Sequence, residues 1–286
     1  MWPDLIPDVD FWMPKTFGVI IMIGTCISIW LAAKRGEKFG FDKDKVWDFG
    51  IYMVLAGILG ARFVDVAENW GDNYWPNYEN GKWGFWTLVW KCFAIWEGGL
   101  TFYGGFISAS IVGVFLLWKW GYSIGKFVDV IVPSMALGHA FGRVGCFLQG
   151  CCYGHACEED FALGVTFPDD AMVYSPNNAV PISEGTLVHP TQLYESGAEL
   201  LLFFFLSWLL FRKHTTGSLM FVWMIFYGIA RFLVELIRAD NVDHVWMGLS
   251  FHFSQYVAMV MVFVGVVGWW MLKISSKENE IKETIS

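Results

Sequence analysis

Seven runs of mainly apolar residues, each long enough to cross a bilayer, follow one another along the chain. They lie at roughly 16–33, 46–67, 99–118, 127–148, 191–211, 217–237 and 249–272. A helix of about 20 apolar residues spans the hydrocarbon core of a membrane. The pattern therefore predicts an all-α, polytopic membrane protein with about seven transmembrane helices.

Three other segments complete a single membrane-embedded domain over residues 1–286. The aromatic stretch 83–96 is too short to span and contains Lys91, so it predicts a helix lying in the membrane interface. The polar segment at about 149–190 is interpreted as a periplasmic insertion. Residues 274–286 are interpreted as a flexible cytoplasmic tail.

Composition agrees with lipid as the solvent and excludes some partners. Hydrophobic residues make up 56% of the chain and charged residues only 16%, whereas a soluble domain carries about 25% charged residues. The net charge of -8 argues against nucleic acid as a partner, because a phosphate backbone binds basic faces. The start of the chain is acidic, so the first apolar run is interpreted as a retained helix and not as a cleaved signal peptide.

The basic residues predict the orientation of the helices. With the N-terminus outside, 12 of the 19 lysines and arginines fall on the cytoplasmic side, in loops near 34–45, 119–126 and 212–213 and in the tail. Short loops rich in lysine and arginine stay in the cytoplasm. The sequence therefore predicts an outside N-terminus and a cytoplasmic C-terminus.

Four arginines lie at or inside the outer ends of the second, fourth and sixth runs: Arg62, Arg143, Arg231 and Arg238. Charges at this depth need a compensating interaction. Pairing with Asp65, Glu195 or Glu235 is one explanation. The other is an anionic ligand such as a phospholipid headgroup, since a guanidinium binds phosphate oxygens bidentately.

Four motifs accompany these arginines, and each has a structural and a functional interpretation. The first motif is GHAFGRVGCFLQGCCYG at 138–154, whose glycines allow close approach either of helix backbones or of a headgroup. The second is HPTQLYES at 189–196, which either caps a helix or places Gln192 and Glu195 on one face for binding. The third motif is RFLVELIRAD at 231–240, whose spacing predicts one helical face with Arg231, Glu235 and Arg238. These residues form either a self-contained ladder of ion pairs or a ligand site with one excess positive charge. In EGGLTFYGGF, Tyr103 belongs to an interfacial belt or lines a pocket.

The order and spacing of these motifs resemble the prolipoprotein diacylglyceryl transferase family along nearly the whole chain. GRVGCFLQGCCYG, HPTQLYE and RFLVELIRAD are similar to family segments, and EGGLTFYGG, Gly-Ala-Arg at 60–62 and PKTFGVIIMIG fall where the family has counterparts. The chain departs from the commoner pattern at four positions: Cys146 for Asn, Cys151 for Glu, Tyr103 for His and Phe17 for Tyr.

The resemblance implies a multi-pass enzyme of the bacterial cytoplasmic (inner) membrane that acts as a monomer. Its partners would be phosphatidylglycerol and a prolipoprotein signal peptide with a lipobox cysteine. The diacylglyceryl group would pass to the cysteine thiol, forming a thioether and releasing glycerol phosphate. The resemblance implies no cofactor and no metal.

The resemblance also implies roles for individual residues. Arg143 and Arg231 would hold the headgroup phosphate and its departing charge, Glu235 would orient Arg231, and Tyr103 would relay a proton. The predicted catalytic residues are therefore Arg143, Arg231, Glu235 and Tyr103. The predicted substrate-binding residues are Arg62, Gly98, Gly99, Gly104, Cys146, Cys151, Gly154, His189, Gln192, Tyr194, Glu195 and Arg238.

The sequence leaves open how the cysteines near residue 150 are bonded, and it leaves two rival functions to consider. A zinc site could use the cluster of Cys146, Cys151, Cys152, His155 and Cys157, but paired C-x-x-C knuckles are lacking, so a disulfide through Cys157 is favoured. An anion or lipid transporter would use the arginines but should show duplicated halves, and none is evident. A thiol oxidoreductase would use the cysteines but normally needs a C-x-x-C pair.

Overall fold

The computed structural model describes residues 16–95, 98–158, 160–168, 171–174, 182–239, 243–246 and 249–285. Within these ranges seven helices are long and apolar enough to cross a membrane. They are α1 Thr16–Lys38, α2 Lys43–Glu68, α5 Phe102–Trp120, α6 Ile124–Gln149, α7 Thr191–Leu210, α8 Ser218–Glu235 and α9 Phe253–Ile285. The prediction of an all-α polytopic membrane protein is confirmed.

Shorter elements connect these helices. A π-helical turn at Trp70–Tyr74 leads into α3 (Trp75–Glu79) and α4 (Phe85–Phe93), and α4 is the helix predicted within 83–96. A hairpin of β1 (Asp243–Trp246) and β2 (Leu249–His252) precedes α9. The hydropathy pattern did not predict this hairpin, and α9 accordingly begins at Phe253 and not at 249. At its other end α9 continues to Ile285, and the flexibility of residues 274–286 stays a prediction.

The chain divides into two compact units, of which one comprises residues 36–124. In this unit α2 packs along α5, and small residues make the approach close. A Cβ on Gly104 would lie 2.6 Å from the Cβ of Val64, and one on Gly60 would overlap the side chain of Ser108. Small residues at helix interfaces are a common means of packing in membranes, where lipid tails already solvate apolar side chains.

The other unit contains α1 and the chain from Gly125 onward. Its helices are joined by buried polar contacts. Arg35 of α1 donates hydrogen bonds to Ser134 of α6 at 3.2 Å and to Ser207 of α7 at 2.8 Å. The segment between α6 and α7 adds a small hydrophobic core of its own. Its buried members are Tyr153, Phe167, Val173 and Val188, and Ala239 from the chain after α8 joins them.

Asp129 of α6 is expected to stabilise this unit by capping the start of α8. Its carboxylate is buried and accepts the backbone N–H groups of Gly217 at 2.6 Å and Leu219 at 3.0 Å. Asp129→Ala leaves both donors without their acceptor, which should lower the free energy of unfolding by about 1–3 kcal/mol. Denaturation of the detergent-solubilised protein, followed by tryptophan fluorescence, measures this change. The exposed Asp48→Ala is the matched control, and equal stability of the two variants would contradict the capping role.

Candidate active site

Glu195 of α7 is the centre of a buried cluster of charges. Its Oε1 lies 2.9 Å from Nη2 of Arg143 on α6, and its Oε2 lies 3.4 Å from Nη1 of Arg231 on α8. The hydroxyl of Tyr227 donates a third hydrogen bond to Oε1 at 3.1 Å. Only 1% of Glu195 is exposed. One carboxylate therefore holds two arginines from different helices in fixed positions.

Glu235 extends the cluster at the end of α8. Its Oε2 lies 2.7 Å from Nη2 of Arg231 and 3.7 Å from Nη1 of Arg238. Nδ1 of His252 lies 3.4 Å from the other carboxylate oxygen. Arg231 and Glu235 share one face of α8 as predicted, whereas Arg238 lies three residues beyond the last helical residue and approaches Glu235 from the segment that follows the helix.

The charges of this cluster do not cancel. Three guanidinium groups contact two carboxylates, so without counting His252 the set carries one net positive charge. Within the described residues, the buried Nε of Arg143 and the buried Oε1 of Gln192 have no hydrogen-bond partner. Buried polar atoms without partners are uncommon, and an anionic ligand would satisfy the N–H of Arg143.

The HPTQ motif fixes the loop that follows α6. The Thr191 hydroxyl donates to the carbonyl of Cys152 at 2.6 Å, and the Gln192 amide donates to the carbonyl of Cys151 at 2.6 Å. Both side chains are almost fully buried. These residues therefore tie α7 to the cysteine loop, a role that differs from capping their own helix.

Gly154 lies where three chain segments meet. Its N–H donates to the carbonyl of His189 at 2.9 Å, and it forms an antiparallel bridge with Arg238. A Cβ at this position would lie 2.7 Å from the Cβ of His189 and 2.8 Å from the carbonyl oxygen of Ile237. The glycine is thus required for packing, and it places Arg238. On the same side, Nδ1 of His189 lies 3.3 Å from the hydroxyl of Tyr194.

The sulfur atoms of Cys146, Cys151 and Cys152 all lie within 4.8 Å of one another. Hydrogen bonds with the Cys146 and Cys151 thiols, and the guanidinium groups of Arg238 and Arg143, hold the pKa of the Cys152 thiol well below its usual range. Hydrogen bonds with the Cys146 and Cys152 thiols, together with burial, raise the pKa of the Cys151 thiol.

The disulfide expected through Cys157 is not formed. All six cysteines are free thiols, and Cys157 is not a member of the three-sulfur cluster. The sequence placed four cysteines close together along the chain. The backbone of the loop, which sequence spacing does not specify, selects which three of them meet.

The sequence patterns did not indicate a third buried carboxylate, which lies next to the cluster. Glu199 is fully buried on α7, with Nδ1 of His139 at 2.6 Å and the indole N–H of Trp223 at 3.1 Å from its two oxygens. The ring of His139 packs edge-on against Tyr227, the residue that donates to Glu195. The available signal was an acidic residue inside an apolar run, one turn after Glu195.

Arg62 belongs to the unit of residues 36–124, where it organises the segment before α5. It donates to the carbonyls of Lys91 at 2.6 Å, Gly98 at 2.7 Å and Gly99 at 3.0 Å, and it pairs with Asp65 at 3.2 Å. Its guanidinium is therefore engaged by the protein itself. A direct role in substrate binding stays a prediction.

The glycines and the tyrosine predicted around α5 lie in the same unit as Arg62. Gly98 and Gly99 adopt φ angles of 88° and 70°, a conformation that favours glycine. A Cβ on Gly99 would overlap Asp65 and Arg62, so this position also needs its bare backbone. Tyr103 is half-exposed on α5, and Gly104 is buried against α2. Substrate contacts of these residues stay predictions.

Comparison with known proteins decides the family. Residues 10–271 match the family described as prolipoprotein diacylglyceryl transferase. The chain belongs to this family. A phosphatidylglycerol--prolipoprotein diacylglyceryl transferase of Clostridium tetani is 30% identical over 253 residues, which cover 87% of this chain and 90% of the relative. The one from Oceanobacillus iheyensis is 31% identical over 257 residues, which cover 88% of this chain and 81% of the relative.

The family resemblance drawn from the motifs is therefore confirmed. A relative from Bacillus cereus with the same name is 33% identical, over 79% of this chain and 77% of its own. The comparisons give no support to the anion or lipid transporter considered above. This family member is a transferase, and its buried arginines are to be interpreted in terms of that chemistry.

Proposed function

We propose that this enzyme transfers the diacylglyceryl group of phosphatidylglycerol to the lipobox cysteine thiol of a prolipoprotein. A thioether forms and glycerol phosphate leaves. The observation that carries the proposal is the buried cluster of Arg143, Arg231 and Arg238, which keeps one net positive charge after pairing with two carboxylates. That charge suits the single negative charge of a phosphodiester headgroup.

The chemistry needs charge stabilisation more than covalent participation of the protein. Sulfur attacks a saturated carbon while negative charge grows on the departing phosphate. Arg143 and Arg231 are held in place by Glu195, so they need little reorganisation as this charge develops. Glu235 orients Arg231, and Arg238 adds to the positive potential of the site.

The remaining predicted residues support binding in this scheme. Tyr103 relays the thiol proton, and Arg62 shapes the segment that contains Gly98 and Gly99, with Gly104 beside it. Substrate contacts are proposed for Cys146, Cys151, Gly154, His189, Gln192 and Tyr194. The enzyme would act as a monomer in the inner membrane, with its N-terminus outside and its C-terminus in the cytoplasm.

A reconstituted reaction tests this function. The purified enzyme in detergent is incubated with phosphatidylglycerol and a lipobox cysteine peptide, and both peptide mass and glycerol phosphate release are followed. We expect a diacylglyceryl mass gain matched by glycerol phosphate. A peptide with serine in place of the lipobox cysteine is the control and should gain no mass. Absence of product from folded enzyme with both substrates would overturn the proposal.

A further inference from the structure

We propose that Cys146, Cys151 and Cys152 form a three-thiolate zinc site whose open fourth position binds the lipobox thiol of the substrate. This inference rests on the proposed function and deepens it, because it names the group that generates the attacking thiolate. It also replaces the expectation from sequence that the reaction uses no metal. The three sulfur atoms within 4.8 Å of one another carry the argument.

The spacing of the sulfurs is close to that of a zinc site. Tetrahedral zinc binds thiolate sulfur at about 2.3 Å, so two sulfurs on one zinc lie roughly 3.8 Å apart. The longest separation in the cluster exceeds this value by no more than about 1 Å, which rotation of cysteine side chains about χ1 readily supplies. Structural zinc sites are closed by four protein ligands, whereas catalytic ones have three and leave one position open.

The backbone conformation of the turn after α6 brings the sulfur atoms of the three cysteines together. Cys146 lies in the last turn of α6, and its carbonyl accepts the N–H of Cys151 at 3.2 Å. Cys152 has a φ of 63°, the only positive value of a non-glycine residue in the described part of the chain. Such a conformation is uncommon and is found disproportionately at functional sites. Thr191 and Gln192 hold the two carbonyls of this turn.

Charge and ligand softness favour zinc. Three thiolates and Zn²⁺ together carry one negative charge, and Arg143 and Arg238 lie close enough to Cys152 to interact with it electrostatically. Thiolate ligands select soft or borderline metals such as zinc and discriminate against magnesium and calcium.

The proposed step balances without an oxidant or a reductant. The lipobox thiol binds zinc and loses its proton, which passes through the proposed Tyr103 relay to water, because a thiol that coordinates zinc is deprotonated. The sulfur electron pair forms the new C–S bond as the bond between the glyceryl carbon and the phosphate oxygen breaks. That oxygen keeps the bonding pair and leaves as glycerol phosphate beside Arg143 and Arg231. The neutral thioether is a weaker ligand and dissociates, which restores the site.

Metal content and cobalt spectroscopy test the inference separately from turnover. The full-length enzyme is purified in detergent under reducing conditions, and its bound zinc is measured and then exchanged for cobalt. We expect about one zinc per chain and a thiolate-to-cobalt charge-transfer band. The lipobox cysteine peptide should change this band, whereas its serine analogue should not. Chelation should reduce transfer at least tenfold, and added zinc should restore it.

Cysteine variants supply matched controls. Cys146→Ser, Cys151→Ser and Cys152→Ser should each weaken zinc binding at least tenfold. Cys26→Ser on α1 and Cys157→Ser in the same loop should bind zinc and turn over normally, because neither sulfur belongs to the cluster. Thermal unfolding of each apoprotein shows that a variant is folded, so that lost binding is attributable to the missing ligand.

The outcomes separate this inference from the proposed function. Active enzyme that holds no stoichiometric metal and resists chelation overturns the zinc site and leaves the transferase function intact. A disulfide between two of the three cysteines in active enzyme also overturns it. A cobalt band that ignores the cysteine peptide overturns the substrate-binding position. A band that responds to the peptide, in an enzyme that never forms product, supports the site and contradicts the proposed function.

Discussion

An Arg143→Ala enzyme is expected to turn over about 10²–10³ times more slowly than the unchanged enzyme. Removing one preorganised donor from a site that stabilises developing charge costs a rate factor of about this size. Arg143 fits that role because it is buried, is held by Glu195 at 2.9 Å, and keeps its Nε without a partner among the described residues. The measurement is kcat for glycerol phosphate release with both substrates saturating.

Two further variants sharpen this prediction. Arg143→Lys keeps the positive charge but loses the planar fork of donors, so its rate should fall between those of the alanine variant and the unchanged enzyme. Arg212→Ala removes an exposed arginine after α7 and should have no effect on kcat. A near-normal rate for folded Arg143→Ala would exclude this residue from charge stabilisation.

Glu195→Ala is expected to lower the free energy of unfolding by about 3–5 kcal/mol and also to abolish measurable transfer. Removing one member of a buried ion pair leaves its partner as an uncompensated charge in a poor solvent. Here one carboxylate serves Arg143 and Arg231 and also accepts from the Tyr227 hydroxyl. Its loss should therefore disorder both guanidinium groups at once. Chemical denaturation in detergent and the transfer assay give the two values.

Comparison of conservative and control variants separates charge from shape. Glu195→Gln retains an acceptor for Tyr227 but not the negative charge, so it should be intermediate in stability and still poor in transfer. The exposed Glu184→Ala should match the unchanged enzyme in both measurements. Arg143→Ala combined with Glu195→Ala should be less destabilising than the sum of the two single changes, because the residues share one contact. Simple additivity would contradict this coupling.

The sequence determined much of the local organisation because its signals are local. Twenty-residue apolar runs have few stable structures in lipid other than helices, so the seven spans followed from hydropathy. The face shared by Arg231 and Glu235 followed from helical spacing. Family membership followed from several motifs in a fixed order, since together they are far more specific than any one of them.

Only the tertiary structure decided how the motifs meet. Glu195 was one of three candidate partners for the arginines, and the packing of α6, α7 and α8 made it the partner of two of them. Arg62 could equally have faced a ligand, but its hydrogen bonds go to backbone carbonyls before α5. Long-range side-chain pairing depends on how helices cross and rotate, and hydropathy does not encode those angles.

The cysteine loop shows the same division between sequence and structure. The sequence supplied four nearby cysteines, and their spacing favoured a disulfide through Cys157. The left-handed backbone at Cys152 and the hydrogen bonds from Thr191 and Gln192 instead gather three other sulfurs. Sequence thus determined which reactive groups lie near one another along the chain. Which of them come into contact was decided by a turn whose conformation depends on a helix that begins some 40 residues later.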